Sequence, residues 1–185
     1  NNGVQDWIDY LGGNYMKSVL ISIQPKWCDL IARGEKTLEV RKTRPKIDTP
    51  FKCYMYCTKS PKGWFWLNSP DIRRDGVVIG EFICDRIYQY STTDHLDGVD
   101  ISMEDATRMS CLTKQKLEAY EFSAEQKDFC LYMIGLYCWH ISNLKIYEKP
   151  KKLSDFSRLR KTKFGMEPVS IMKAPQSWFY VETLE

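Results

Sequence analysis

The residues with the clearest capacity for chemistry lie together in the segment Gly34-Glu35-Lys36-Thr37-Leu38-Glu39-Val40-Arg41. Successive side chains of a strand point to opposite faces, so Thr37, Glu39 and Arg41 are expected to share one face. A lysine, a carboxylate and an arginine that converge there can bind a phosphate or the polar edge of a base. Glu39 could also act as a general base if Lys36 tunes its pKa. The competing interpretation is a surface ion pair that adds little to stability.

A second set of candidate residues mixes cations with aromatic rings, as nucleic-acid contacts often do. We expect the following side chains to extend a nucleic-acid surface around Lys36, Glu39 and Arg41: Lys42, Arg44, Lys59, Trp64, Trp66 and Arg73. An exposed tryptophan can stack on an unpaired base at about 1–3 kcal/mol, and lysine and arginine supply phosphate contacts. The alternative is that Trp64 and Trp66 fold back onto the domain.

Several other kinds of site are absent from the sequence. The chain has no GxxxxGK[ST], GxGxxG, GxSxG or HExxH motif and only two histidines, His95 and His140. Cys53 and Cys57 are four residues apart, which on a strand is roughly 13 Å and too far for one metal ion. The sequence therefore predicts no metal site and no cofactor.

Charge is spread unevenly along the chain. The net charge of +3 is too small by itself to indicate a nucleic-acid-binding protein. Residues 16–93 carry 14 basic and 8 acidic side chains, residues 94–128 carry 4 and 9, and residues 145–173 carry 9 and 3. The two basic stretches could form one basic face, and the acidic stretch could meet a basic protein partner. Ordinary surface charge explains the pattern equally well.

The elements that must position the motif can be read from its flanks. The apolar and β-branched run at 18–23 predicts a strand. A helix is expected to start at Gln24-Pro25, because Trp27, Leu30 and Ile31 then form one apolar stripe and Pro suits the first helical position. Gly34 is the expected end of that helix. The strictly alternating residues 37–41 predict the strand that carries the motif.

The rest of the chain completes an α+β order of elements. We expect strands at 51–58, 77–90 (bent near Gly80), 136–147 and 178–181, helices within 102–131, a long loop at 59–76 and little regular structure at 149–174. This order differs from a repeating βαβ pattern. It predicts a small mixed β-barrel with helices packed at its openings.

Length and composition fit one domain. The 185 residues are 43% hydrophobic and include seven cysteines without a disulfide-type spacing. We therefore expect a reduced, cytoplasmic protein, and no apolar run is long enough to span a membrane. Met16 opens a much stronger folding pattern than the residues before it, so residues 1–15 are interpreted as a leader or extension and 16–185 as the domain.

The motif and its flanks resemble the ASCH domain of the PUA-like superfamily. The resemblance covers Ile23-Gln24-Pro25-Lys26-Trp27, then Leu30-Ile31, then the GxKxxExR pattern at 34–41. Similar segments follow in the same order at 76–82, 137–144 and 175–178, so it runs from about residue 17 to 184. It implies a β-barrel with a cleft that binds RNA or a modified nucleobase, with Lys36, Glu39 and Arg41 lining the cleft.

Some ASCH relatives are enzymes, which gives the resemblance a second implication. One branch removes the acetyl group from acetylcytidine with a motif lysine, a threonine nucleophile and a distant glutamate. Lys36 matches the lysine, but Glu39 occupies the threonine position and cannot take over its ester chemistry. Thr37 could serve only in a rearranged site. Other relatives are linked to ribonuclease activity, for which a mechanism with two histidines is disfavoured here.

Three hypotheses follow from the sequence. The favoured one is a module that binds single-stranded RNA or a nucleoside without turnover. The second is a hydrolase acting on a modified nucleoside or on RNA, with Lys36, Glu39 and Thr37 as the candidate catalytic residues. The third is a protein-interaction domain that uses the acidic stretch 94–128.

Overall fold

The computed structural model describes residues 17–63, 65–66, 69–91, 98–125 and 135–184, with the backbone alone at 65–66, 69–72 and 122–125. The interpretation of residues 1–15 as an extension lies outside the described residues, as does Trp64.

The described part of the chain forms three α-helices, one short 3-10 helix and twelve strands. The helices are α1 (Pro25–Ala32), α2 (Met103–Ser110) and α3 (Lys114–Glu125), and the 3-10 helix is Leu153–Asp155. The strands are β1 (Lys17–Ile23), β2 (Leu38–Arg41), β3 (Phe51–Cys57), β4 (Phe65–Trp66), β5 (Ser69–Arg73), β6 (Val77–Cys84), β7 (Ile87–Tyr90), β8 (Leu136–His140), β9 (Ser142–Lys151), β10 (Ser157–Thr162), β11 (Gly165–Ser170) and β12 (Trp178–Glu182).

A five-stranded sheet in the order β12-β1-β3-β6-β9 forms the centre of the molecule. Strand β1 pairs parallel with β3, and the other neighbours are antiparallel. Every residue of β1 after Lys17 is buried, which accounts for its run of β-branched and apolar residues. Val19, Ile21, Phe82 and Trp139 belong to the main hydrophobic core on this sheet.

A three-stranded sheet in the order β2-β8-β7 carries the motif strand. It meets the central sheet at two corners, because β7 follows β6 after two residues and β9 follows β8 after Ile141. Helices α2 and α3 pack on this sheet, where Ala106 and Leu117 contact a core that includes Leu38 and Val40. The predicted α+β class is confirmed. The ladders of the described strands form four separate sheets, so a closed barrel remains a prediction.

Three expectations about individual elements were wrong. The long loop expected at 59–76 contains the paired strands β4 and β5. The strand expected at 77–90 is two strands, β6 and β7, separated after Cys84. The bend expected near Gly80 coincides with a register shift between Val78 and Gly80 in the pairing of β6 with β3 and with β9. Gly80 also permits the close approach of β9, since a Cβ atom there would lie 2.5 Å from the Lys145 carbonyl oxygen. The stretch 149–174, expected to be irregular, contains the β10–β11 hairpin.

Helices were correctly expected within 102–131 and strand structure at 136–147, but the bounds of the elements differ from those expected. Ser102 is the N-cap of α2 and accepts a hydrogen bond from the backbone N–H of Asp105. Cys111 has a φ of 56° and separates α2 from α3. The strand expected at 136–147 is two strands divided at Ile141. None of the helices in the described ranges has the length and apolar character that crossing a bilayer requires.

Candidate functional site

The turn after α1 places the motif residues next to Trp27 in the first turn of the same helix. Gly34, with a φ of 74°, ends α1 as predicted. The backbone N–H groups of Glu35 and Lys36 both donate to the Leu30 carbonyl oxygen, at 2.9 and 3.1 Å. This closure reverses the chain direction and starts β2 two residues later. Trp27, Lys36 and Glu39 consequently line one cavity.

Lys36 is buried, with 3% of the residue exposed. Its Nζ donates to the carbonyl oxygens of Leu38 at 2.6 Å and Ser110 at 2.8 Å. It also lies 3.4 Å from Glu39 Oε2. Ser110 is the last residue of α2, so the ammonium group satisfies a carbonyl at the negative end of a helix. These three contacts hold Lys36 in one position.

Glu39 and Arg41 form a second ion pair at the same place. Arg41 Nη2 lies 2.9 Å from Glu39 Oε1 and donates to the Ser22 carbonyl oxygen at 2.7 Å. Two atoms of this pair, Glu39 Oε2 and Arg41 Nε, are buried and have no hydrogen-bond partner among the described residues. An unmet buried group of this kind costs about 1–3 kcal/mol, and such groups occur where a ligand or water binds.

The cavity beside these residues has a volume of about 400 Å³, within the range of about 300–1,000 Å³ usual for small-molecule sites. Its lining mixes apolar and polar side chains from both sheets, α1, α3 and the segment before β12. The lining residues are Ser22, Ile23, Gln24, Trp27, Lys36, Glu39, Val40, Arg41, Thr58, Leu112, Lys116, Tyr120 and Gln176.

Two aromatic rings belong to the cavity wall. Trp27 is half-buried, and the ammonium groups of Lys26 and Lys36 lie 4.3 and 5.4 Å from its ring centre. Tyr120 comes from α3, and burial raises the pKa of its phenol further above physiological pH, where a tyrosine is already neutral. Lys42 lies outside the lining with its ammonium group 4.8 Å from the Tyr120 ring centre, and burial lowers the pKa of Lys42.

The sequence-predicted site residues divide into two groups. Lys36, Glu39 and Arg41 line the cavity, and their role in binding stays a prediction. Thr37 is not among the described lining residues. Its backbone N–H donates to Met109 and its carbonyl oxygen accepts from Ile141, so it joins α2 to the corner between β8 and β9.

The outlying cations lie away from the cavity lining. Arg44 and Lys59 are exposed. Arg73 is held by Asp75, with its Nε 2.7 Å from Oδ1 and its Nη2 2.9 Å from Oδ2. Trp66 is placed in β4 by its backbone. Arg44, Lys59 and Arg73 therefore do not share a described cavity with Lys36.

The cavity also contains residues that the sequence analysis missed. Leu112, Lys116 and Tyr120 are about eighty positions from the motif, and no local pattern links them to it. Gln176 lies in the segment 175–178, which the family resemblance had singled out for another reason. Among the described residues, no three His, Cys, Asp or Glu side chains are grouped closely enough to hold a metal ion.

Comparison with known proteins gives a likeness in structure alone. No family model matches the chain, and no curated protein matches it. The crystal structure of ASCH from Zymomonas mobilis is similar over 88% of this chain and 86% of that chain, with 17% identity and a TM-score of 0.49. Two mutant forms of the same protein give 16% identity with a TM-score of 0.48 and 17% with 0.46. They cover 88% and 90% of this chain, and 88% and 89% of their own.

These solved structures carry the family name that the sequence motifs resemble. At this identity and at TM-scores below 0.5, the likeness assigns no activity and no residue role to the chain.

Proposed function

We propose that the cavity binds a nucleobase, either of single-stranded RNA or of a nucleoside. The observation that supports this most is the Glu39–Arg41 pair at the wall of a cavity of about 400 Å³. Among the described residues, the buried donor Arg41 Nε has no hydrogen-bond partner, and the buried acceptor Glu39 Oε2 makes no hydrogen bond and has the Lys36 ammonium group 3.4 Å away. An adjacent acceptor and donor match the mixed polar edge of a base. A small rearrangement on binding would bring both atoms into contact with the ligand.

The two side chains have different tasks in this proposal. The carboxylate of Glu39 accepts a hydrogen bond from an exocyclic amino group, as acidic side chains do with cytosine N4. The guanidinium of Arg41 donates to a ring nitrogen or carbonyl oxygen of the same edge. Lys36 holds the Glu39 carboxylate in place. Its ammonium group donates to the Leu38 and Ser110 carbonyl oxygens and forms an ion pair with Glu39.

The aromatic rings supply the remaining binding energy. Trp27 offers a half-buried ring for stacking, and stacking on an aromatic side chain contributes about 1–3 kcal/mol per base. Tyr120 closes the other part of the wall with a neutral phenol. A base held in this way is recognised by its edge and its face without a chemical change.

The contacts of Lys36 and Thr37 favour binding over hydrolysis. Lys36 is engaged by two carbonyl oxygens and a carboxylate, so it offers no available amine. Thr37 is engaged through its backbone and lies outside the described lining. The segment of the third hypothesis also has a structural task, because α2 and α3 cover the three-stranded sheet and complete the cavity wall through residues such as Leu117 and Tyr120.

The test is a titration of the purified chain with cytidine, adenosine, guanosine and uridine, and with a labelled single-stranded RNA. We expect the three amino-bearing nucleosides to bind about 5- to 150-fold more tightly than uridine, the range that one good base contact provides. Glu39→Gln should remove this preference. Glu35→Gln is the matched control, since Glu35 is an exposed carboxylate four residues earlier that pairs with Arg33.

Three results would contradict the proposal. The first is an absence of binding by every nucleoside and by the RNA. The second is equal behaviour of the Glu39→Gln and Glu35→Gln variants. The third is cleavage of the RNA, or conversion of an added modified nucleoside, which would move the protein to the hydrolase hypothesis.

A further inference from the structure

The β10–β11 hairpin is a strongly basic feature outside the cavity. Its two strands pair from Ser157↔Ser170 to Thr162↔Gly165, and residues 163–164 form the turn. Four cations lie on β10 or at the turn, and all are exposed: Arg158, Arg160, Lys161 and Lys163. None of them forms an ion pair with a described carboxylate.

These four cations contribute little to the stability of the fold and are available to an external partner. Among the described residues, these cations contact aromatic rings: the Arg158 guanidinium lies 5.1 Å from the Phe179 ring centre, and the Lys163 ammonium group lies beside Phe164 at the turn. Glu167 lies opposite Arg160 in the strand register but is not within ion-pair distance. Neighbouring like charges repel one another in the folded state. A polyanion placed over the hairpin would remove that repulsion.

The turn adds an aromatic ring to the cations. Phe164 is 78% exposed, and the Lys163 ammonium group lies 4.8 Å from its ring centre. Met172, just after the hairpin, is 83% exposed. An exposed ring beside unpaired cations is the combination that binds an unpaired base together with its phosphates. An acidic protein would use the cations but would not need the ring at the tip.

The base of the hairpin lies close to the cavity along the chain. This base is closed by a hydrogen bond from the Ile171 backbone N–H to the Phe156 carbonyl oxygen at 2.9 Å. Gln176, five residues after Ile171, lines the cavity. Five residues span at most roughly 18 Å. The base of the hairpin and the cavity wall are therefore within the reach of one short nucleotide strand.

We propose that the β10–β11 hairpin binds the phosphates of a single-stranded RNA whose base occupies the cavity, with Phe164 stacking on a neighbouring base. The identity of the polyanion rests on the function proposed above. The hairpin then supplies affinity that does not depend on sequence, and the cavity supplies the choice of base.

The test compares two triple variants that remove the same charge. The hairpin variant is Arg160→Gln, Lys161→Gln and Lys163→Gln. The control variant is Arg33→Gln, Arg108→Gln and Lys114→Gln, three exposed cations that are already paired with carboxylates. Binding of a labelled single-stranded RNA of roughly 16 nucleotides is measured as a function of salt concentration by fluorescence anisotropy.

We expect the hairpin variant to reduce the slope of log K against log salt by about 2, because each lost phosphate contact removes about 0.7. The control variant should leave that slope unchanged. Phe164→Ala should weaken RNA binding by about 5- to 150-fold. Thermal unfolding of each variant verifies that the fold is intact.

Several results would overturn the hairpin proposal. The first is an equal loss of RNA affinity in the two triple variants. The second is a slope of log K against log salt that the hairpin variant leaves unchanged. The third is hairpin-dependent binding to vesicles of anionic phospholipid with no binding to RNA. Nucleoside titration separates this failure from that of the cavity. If nucleosides bind but the hairpin variant leaves the salt slope of RNA binding unchanged, only the hairpin proposal fails. If RNA binding depends on the hairpin and ignores Glu39→Gln, only the cavity proposal fails.

Discussion

The cavity and the β10–β11 hairpin use the same residue types in opposite surroundings. In the cavity, the cationic groups of Lys36 and Arg41 are almost fully buried and have fixed partners. On the hairpin, Arg160 and Lys161 are exposed and have no carboxylate within ion-pair distance. Each region is basic, yet only the first has a defined geometry.

This difference indicates how one small chain could separate specificity from affinity. Buried charges interact strongly and are weakly screened, so their geometry can select among ligands. Exposed charges are mobile and screened by salt, so they attract any polyanion with little selection. Four measurements test whether the two regions differ in this way.

The largest expected effect is on stability. Lys36→Met keeps most of the side-chain volume but leaves the Leu38 and Ser110 carbonyl oxygens and Glu39 without their cation. Removing one member of a buried pair costs about 3–5 kcal/mol, and we expect urea unfolding to measure a loss in that range. Arg160→Met on the hairpin should change the unfolding free energy by less than about 0.5 kcal/mol. Similar losses of unfolding free energy in the two variants would show that the cations of the cavity and of the hairpin do not differ in their contribution to stability.

The second effect concerns the stacking ring. Trp27→Leu should weaken nucleoside binding by about 1–3 kcal/mol, because it removes the aromatic face and keeps an apolar side chain. Tyr88→Leu is the control, since Tyr88 is a half-buried ring outside the cavity with the Arg86 guanidinium 4.5 Å from its centre. Calorimetric titration gives both values. Unchanged affinity in Trp27→Leu would exclude the ring as the stacking platform.

The third effect is the response to salt. Between about 50 and 200 mM salt, nucleoside affinity should change by less than about 2-fold, because the cavity charges are buried and paired. RNA affinity should fall by about 20-fold if the hairpin makes three phosphate contacts. Parallel titrations at the two salt concentrations decide this. A salt dependence of RNA binding as small as that of nucleoside binding would show that the hairpin makes no phosphate contacts.

The fourth effect concerns an ion pair of intermediate burial. Asp85 Oδ1 lies 2.6 Å from Nδ1 of the half-buried His140. Burial pushes the pKa of Asp85 up, but the hydrogen bond and charge of His140 outweigh it and hold that pKa below its usual value. A lowered carboxyl pKa stabilises the fold above the unfolded pKa of about 3.9, and the benefit is lost as the pH falls through the folded value.

We therefore expect Asp85→Asn to cost less than about 1 kcal/mol near pH 5, and this cost should shrink as the pH falls below about 3.9, as measured by urea unfolding. The loss should lie between those of Lys36→Met and Arg160→Met. A cost that persists at low pH would show that Asp85 acts through packing and not through its charge.

Local patterns in the sequence determined much of the fold. The apolar run of β1, the Pro25 start and Gly34 end of α1, the alternation of β2 and the Ser102 cap each follow from interactions within a few residues. These also placed Lys36, Glu39 and Arg41 near one another. The hairpin was missed because β10 alternates exposed cations with only half-buried residues, which weakens the period-two signal.

Only the tertiary structure decided what the motif residues contact. The sequence left open whether Lys36, Glu39 and Arg41 form a surface ion pair or a binding site, because spacing says nothing about burial. The burial of these residues depends on α2 and α3, whose residues Ser110, Lys116 and Tyr120 come from about eighty positions away. Packing of those helices on the β2-β8-β7 sheet buries the motif and forms the cavity. Contacts that bring distant segments together depend on the whole fold, so no local pattern records them.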